Sequence, residues 1–225
     1  MSPSSLKKSP FLQNSSTVGG YLPLITTLFW DIGGVLLSNA WDRTERQQAI
    51  EKFGLKADEF QTRHEPLVPA FERGEITLDD YLNQTVFFSP RPFTPEEFKR
   101  YMFSLSRPNL EAIALARELR DSAKYLMGTI NNESRELNEY RISRFELRGI
   151  FQSFVSSCFV GLRKPEETIY RLALDLTQRS ASECCFIDDR ETNLQAPARM
   201  GIQTILMKSA SQLREDLLKL GVPLG

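Results

Sequence analysis

Short apolar runs recur along the chain and alternate with segments of helical period. LITTLFW at 24–30 stops at Asp31 and meets Gly33-Gly34, the pattern of a buried strand entering a tight turn. KYLMGTI at 124–130, FVSSCF at 154–159, CCFI at 184–187 and IQTILM at 202–207 read as further strands. A helix over 109–121 carries Leu110, Ile113, Ala114 and Leu119 on one face, and helices over 166–177, 191–200 and 210–220 follow the later strands. The polar turn Asn131-Asn132-Glu133-Ser134 is placed to start one more. Strands alternating with helices predict βαβ units, hence an α/β fold with a parallel sheet covered by helices on both faces.

Two stretches break this rhythm. Residues 1–22 are rich in Ser, Pro, Gly and Asn without any period, and read as a flexible N-terminal extension. Lys7 and Lys8 precede apolar residues as in a signal peptide. However, the apolar stretch from Tyr21 is interrupted by Pro23 and ends at Asp31 with no A-x-A site, which argues against export. Residues 42–105 are polar and charged, with aromatics at irregular helical spacing and punctuation by Pro66, Pro69 and SPRPFTP at 89–95. They predict an inserted module of short helices. The organisation expected is therefore an extension at 1–22, a core built from 23–41 and 106–225, and a helical insertion at 42–105.

Composition removes several chemistries. Basic and acidic side chains nearly cancel, 28 against 29, which excludes a general polyanion binder and so predicts no nucleic-acid partner. No run reaches the roughly 18 apolar residues of a membrane span. His64 is the sole histidine, so metal sites needing two or three imidazoles are excluded. Three cysteines, Cys158, Cys184 and Cys185, form neither a disulfide framework nor a CxxC pattern, which predicts a reducing, cytoplasmic setting. The chemistry left is that of carboxylates, hydroxyls, amides and lysines.

In open parallel sheets ligands gather at the carboxyl ends of the strands. Those ends carry Asp31, the segment Thr129–Asn132, and Asp188-Asp189, with Lys164 in a loop beyond a further strand. Three carboxylates at one rim repel one another unless a cation lies between them, and Mg²⁺ suits carboxylate, carbonyl and water ligands.

These residues carry a resemblance. WDIGGVLLS at 30–38, GTINNES at 128–134, GLRKPEETIY at 161–170 and FIDDRETNLQAPARMGI at 186–202 resemble the four motifs of the haloacid dehalogenase-like (HAD) hydrolases, in the order of the subfamily with a helical cap after the first motif. The resemblance implies a Rossmann-like core, a mobile cap over 42–105, Mg²⁺, and a covalent aspartyl intermediate in the hydrolysis of a small phosphorylated or halogenated substrate. Asp31 matches the nucleophile, and Lys164 the lysine that neutralises charge on it. Asp189 matches the metal-binding carboxylate, with Asp188 beside it, and the backbone carbonyl of Gly33 falls where the family supplies another metal ligand. Gly34 allows close approach of backbone to ligand.

Two positions depart from the family pattern. Gly33 stands where most phosphatases of the family have a second Asp as general acid and base. The hydroxyl of the second motif is displaced as well. Either Thr129 reaches the site from one residue early, or Asn131 and Asn132 supply the donors. Asn193 matches a fourth-motif position often filled by Asp, and equally suits a helix-surface amide. Arg63 and His64 of the insertion are candidate substrate contacts, as is Arg43, although solvated charge or packing explains each as well. The expected activity is that of a Mg²⁺-dependent phosphatase. The rivals are a 2-haloacid dehalogenase using the same Asp31, and a catalytically weak binding protein. Either a monomer or a homodimer fits.

Overall fold

β1, Thr27–Trp30, is buried on both sides, as expected of a central parallel strand whose neighbours and helices leave it no solvent-facing edge. The computed structural model describes residues 24–224, so the extension expected at 1–22 lies outside the described residues. After β1 the chain turns sharply and enters five helices: α1 (Arg43–Phe53), α2 (Ala57–His64), α3 (Val68–Glu72), α4 (Leu78–Thr85) and α5 (Pro95–Ser104). It then returns through α6 (Leu110–Asp121), β2 (Leu126–Asn131), α7 (Arg135–Arg144), β3 (Ser153–Ser156), α8 (Ser157–Val160), α9 (Glu167–Thr177), β4 (Cys184–Asp188), α10 (Glu191–Arg199), β5 (Gln203–Leu206) and α11 (Ala210–Lys219).

The five strands are all parallel, in the order β3-β2-β1-β4-β5. Side chains alternate across them. Leu28 and Trp30 of β1 and Cys185 and Ile187 of β4 face a core shared with α6, α7 and α11, whereas Phe29, Cys184 and Phe186 face one shared with α9 and α10. The two adjacent cysteines are thus packing residues on opposite faces, both free and buried.

One expected strand is shorter than its apolar run suggests. FVSSCF leaves the sheet at Ser156, and Ser157–Val160 coil into α8 instead. Ser157 Oγ accepts the Glu133 N–H (3.0 Å) and donates to the Glu72 carbonyl (2.6 Å), bonds that bend the chain away from the ladder.

The helical insertion has its own core of Trp41, Phe60, Phe71, Tyr81 and Phe98, to which Leu137 of α7 contributes. Its helices are short, and two of the five start at explicit side-chain caps. Thr77 with Asp80, and Thr94 with Glu97, form reciprocal capping boxes at α4 and α5. The insertion leaves and rejoins the sheet layer through one neck. There the Ser38 N–H donates to the Arg107 carbonyl (2.8 Å), the Arg107 N–H to Ser38 Oγ (3.0 Å), and Ser38 Oγ to the Leu105 carbonyl (2.9 Å).

Candidate active site

Register places the acidic residues together. Trp30 of β1 lies opposite Thr129 of β2 and Ile187 of β4, so the next residues along, Asp31 and Asp188, emerge side by side at the carboxyl edge. The Asp31 N–H donates to the Ile187 carbonyl (2.8 Å) and extends the ladder by one bond. Carboxylate oxygens of Asp31, Asp188 and Asp189 lie within 4.8 Å of one another.

Lys164 enters this cluster from the loop before α9. Its Nζ contacts Asp31 Oδ1 at 2.8 Å and Asp188 Oδ2 at 2.6 Å, with both ends buried. The Lys164 backbone is fixed by Asn132, whose Oδ1 accepts the Lys164 N–H (2.8 Å) while its Nδ2 donates to the Lys164 carbonyl (2.9 Å). The Ile32 N–H also donates to Asp31 Oδ1, so both contacts fall on one oxygen of the carboxylate.

The two aspartates at the end of β4 have different surroundings. Asp188 is fully buried and accepts from Lys164, from Asn193 Nδ2 (3.0 and 3.1 Å) and from the Arg190 N–H (2.8 Å). Asp189 keeps a buried Oδ1 with no hydrogen-bond partner among the described residues. Its carboxylate rests on Gly34, whose φ is +74° and where a Cβ would fall 2.1 Å from Asp189 Oδ2. Only glycine meets both conditions.

Crowding three carboxylates around one ammonium shifts their protonation. Burial pushes the Asp31 carboxyl up to about 7; Lys164 opposes this, while Asp188 and Asp189 add to it. Burial alone would lower the Lys164 ammonium, but the carboxylates of Asp31 and Asp188 outweigh it and hold it above its ordinary value. Asp189 is raised by burial and by Asp188. The cluster carries more negative charge than Lys164 neutralises, and one of its carboxylate oxygens has no partner among the described residues.

A haloacid dehalogenase-like hydrolase family model matches residues 25–201, from just before β1 to just after α10. The chain is a haloacid dehalogenase-like hydrolase. It is similar to bifunctional epoxide hydrolase 2 of Sus scrofa, 25% identical over 217 residues that cover 84% of this chain and 38% of that protein. The hydrolase thus spans about two fifths of that relative's length. It is also similar to D-ribitol-5-phosphate phosphatase of Bacteroides thetaiotaomicron, 23% identical over 86% of this chain and 97% of that one. Among solved structures, a HAD family enzyme from Bacteroides thetaiotaomicron in complex with magnesium and inorganic phosphate superposes with a TM-score of 0.70. It is 21% identical and covers 82% of this chain and 95% of its own.

A cavity of about 390 Å³ opens over Asp31, between the strand ends and the insertion of the hydrolase. Gly33, Asn132, Lys164 and Asn193 line it from the sheet side, and Trp41, His64 and Phe71 from the other. The remaining candidates divide. Thr129 is buried within the sheet, its hydroxyl unpartnered, and is not part of the cavity wall. Asn131 is also withdrawn: its Nδ2 donates to Asn138 Oδ1 (3.0 Å) and its Oδ1 accepts from Ser156 Oγ (2.9 Å). Neither faces the ligand space. Of the three second-motif candidates only Asn132 lines the cavity, because the pleat turns consecutive side chains to opposite sides.

Arg63 is turned away as well, with its guanidinium 3.6 Å over the Phe88 ring. Arg43 borders a separate groove beside Gln47 and Glu51. His64 does border the cavity, but is held as a neutral packing residue. Tyr81 accepts from Trp41 Nε1 (2.9 Å), and its hydroxyl lies 2.8 Å from His64 Nδ1. Burial and the nearby Arg46 lower the imidazole to about 4, with Asp42 acting against them.

Sequence reasoning missed the charged pairs that ring the cavity. Arg141 Nη1 meets Glu133 Oε2 at 2.7 Å in a buried pair, Arg163 meets Glu72 at 2.6 Å, and Arg190 meets Asp42 at 2.5 Å. The last two join residues far apart in the chain, and the first links α7 to the turn before it, so no local pattern announces them. The adjacency of Arg163 and Arg190 to the third- and fourth-motif residues was the one available signal.

Proposed function

We propose that this hydrolase is a Mg²⁺-dependent phosphatase of a small phosphorylated metabolite, acting through Asp31. The observation that carries this reading is the pairing of a saturated Asp188 with an unsatisfied Asp189 beside Asp31. Oxygen-only donors of high negative charge suit a hard divalent cation, so the residues present fit Mg²⁺. Asp31, Asp189 and the Gly33 carbonyl would hold it, with Asp188 fixing Lys164 behind them. When bound, the ion supplies charge stabilisation for the transferring phosphoryl group.

The rest is done by the chain itself. Asp31 lines the cavity and offers Oδ2 as nucleophile while Lys164 fixes Oδ1 and offsets charge as the aspartyl-phosphate forms. Asn132 keeps the lysine in place through its two backbone bonds. Water then hydrolyses the acyl phosphate and restores Asp31. The cavity volume suits a small ester held against Trp41 and Phe71, with the helical insertion as a cap. The similarity to a phosphatase and to a structure holding magnesium and phosphate supports the same reading. Free, buried cysteines suit a reducing compartment, and we assign the protein to the cytoplasm.

Gly33 favours the rival reading of a dehalogenase, because carbon–halogen cleavage needs no protonation of its leaving group. An acidic cluster with an orphaned oxygen weighs against that rival, whose chemistry requires no cation. Phosphate and chloride release measured with and without Mg²⁺, on wild type and Asp31→Asn, separates the two. Phosphate release that needs both Mg²⁺ and Asp31 is expected; chloride release independent of metal overturns the assignment.

A further inference from the structure

Gly33 and Gly34 are neighbours with opposite reasons for being glycine. At Gly34 the left-handed backbone and the Asp189 carboxylate exclude any side chain. At Gly33 neither restriction holds. The backbone is outside the left-handed region, and a Cβ would make ordinary contacts, 3.4 Å from Asn39 Oδ1 and 3.9 Å from Arg141 Nη1. A side chain would fit here, and it would meet the Asn39 amide oxygen first and the Arg141 guanidinium beyond it.

Arg141 is a costly residue to place there. It lies on α7, only 2% exposed, and is clamped at both ends. Nη1 donates to Glu133 Oε2 (2.7 Å) and Nη2 to the Ser38 carbonyl (2.6 Å). Glu133 is clamped in turn, its Oε1 accepting the Ser134 N–H (3.0 Å). Each terminal nitrogen of a guanidinium carries two hydrogens, so both keep one to offer. Arg141, Glu133, Gly33 and Asp31 line the same cavity.

We propose that Arg141 binds the leaving-group oxygen of the phosphate ester, taking the place of the proton donor that position 33 lacks. This rests on the phosphatase reading above. As Asp31 Oδ2 bonds to phosphorus, the bond from phosphorus to the alcohol oxygen breaks and leaves its electron pair on that oxygen. The oxygen accepts an Arg141 N–H and takes its proton from water. The hydroxide so formed cleaves the acyl phosphate, giving inorganic phosphate and consuming one water in all. A guanidinium does not give up its proton at neutral pH, so its contribution is charge stabilisation at a preorganised donor. Glu133 is a positioning residue, since its Oε2 fixes the guanidinium.

The test is leaving-group dependence with Mg²⁺ present. kcat/KM is measured for p-nitrophenyl phosphate, whose leaving oxygen needs little help, and for glycerol phosphate, whose alkoxide needs much. Arg141→Gln is expected to lose at least about tenfold more on the alkyl than on the aryl ester. Equal losses on both esters, or none, overturn the assignment. Gly33→Asp keeps Arg141 and places a carboxyl beside it, so it serves even if Arg141→Gln does not fold. It is expected to change the aryl-to-alkyl ratio by about tenfold and to add an acid limb to the pH profile. An unchanged ratio overturns the proposal. If wild type releases phosphate through Asp31 while neither variant shifts the ratio, only this inference fails. If wild type releases none from either ester, the phosphatase reading fails with it.

Discussion

The cavity has two walls made by different means. On the sheet side, Asp31 and Asp188 directly follow paired strand residues, and Lys164 is held by backbone bonds to Asn132. On the other side, His64 and Phe71 come from the helical insertion and Trp41 from the segment leading into it, and all three are positioned by packing among aromatic rings. The first wall is made by register, which a one-residue slip would destroy. The second is made by side-chain volume, which tolerates substitution. Under the proposed function, chemistry sits on the wall that cannot drift, and recognition on the wall that can.

The largest effect expected from breaking the sheet-side wall is that of Asp31→Asn. Phosphate release should fall by at least about 10⁴-fold, since the proposed nucleophile is lost. Urea unfolding of the same variant should show stability unchanged or improved, because one buried charge is gone. A stable protein without activity is the signature of a functional carboxylate.

Next comes Lys164→Met. Removing the cation leaves Asp31 and Asp188 buried against each other, and the metal-free protein should lose about 3–5 kcal/mol in urea titration. Mg²⁺ should restore part of this. A variant as stable as wild type without metal would show that the carboxylates need no counter-charge.

Gly34→Ala tests the cradle under Asp189. The added methyl cannot coexist with the carboxylate, so the Mg²⁺ concentration for half-maximal activity should rise about 10–100-fold. Gly33→Ala, made in parallel, should leave the Mg²⁺ requirement near wild type. Equal effects of the two would remove the distinction between the glycines.

Breaking the aromatic wall should act through stability. The His64 imidazole titrates near 6.5 unfolded but is held at about 4 by burial in the folded protein. Its contribution is therefore present above pH 6.5 and is lost as pH falls from there through 4. Acidification from pH 7 to pH 5 should cost about 1–2 kcal/mol in chemical denaturation, and His64→Asn should flatten that dependence. The smallest change is expected at the boundary between the walls. Arg73 and Glu166 pair at 2.5 Å but are substantially exposed, so Arg73→Ala should alter stability by less than about 1 kcal/mol.

The same contrast decides what could be read from the chain. β1, β2, β4 and β5 and the helices after them were legible because each is a local pattern ending at a turn or a carboxylate. Asp31, Lys164, Asp188 and Asp189, all named from sequence, lie at one rim for the same reason. The end of β3 was not legible, since it is set by the Ser157 hydroxyl bonding to Glu133 and Glu72, distant residues. Thr129 and Asn131 were misplaced because one residue of pleat decides which side a strand-end residue faces. Arg141 looked like any helical arginine, and only the fold brings it beside Gly33.

The neck at Ser38 and Arg107 gives the two walls separate freedom to change. Because the excursion starts and ends at a single hydrogen-bonded crossing, the sheet senses only that its ends are close together. Closing a loop twice as long costs only about 0.6 kcal/mol more in chain entropy. The excursion can therefore be lengthened, shortened or exchanged for another module at little thermodynamic penalty to the strands that bear the aspartates. A single catalytic floor can in this way receive many different ceilings.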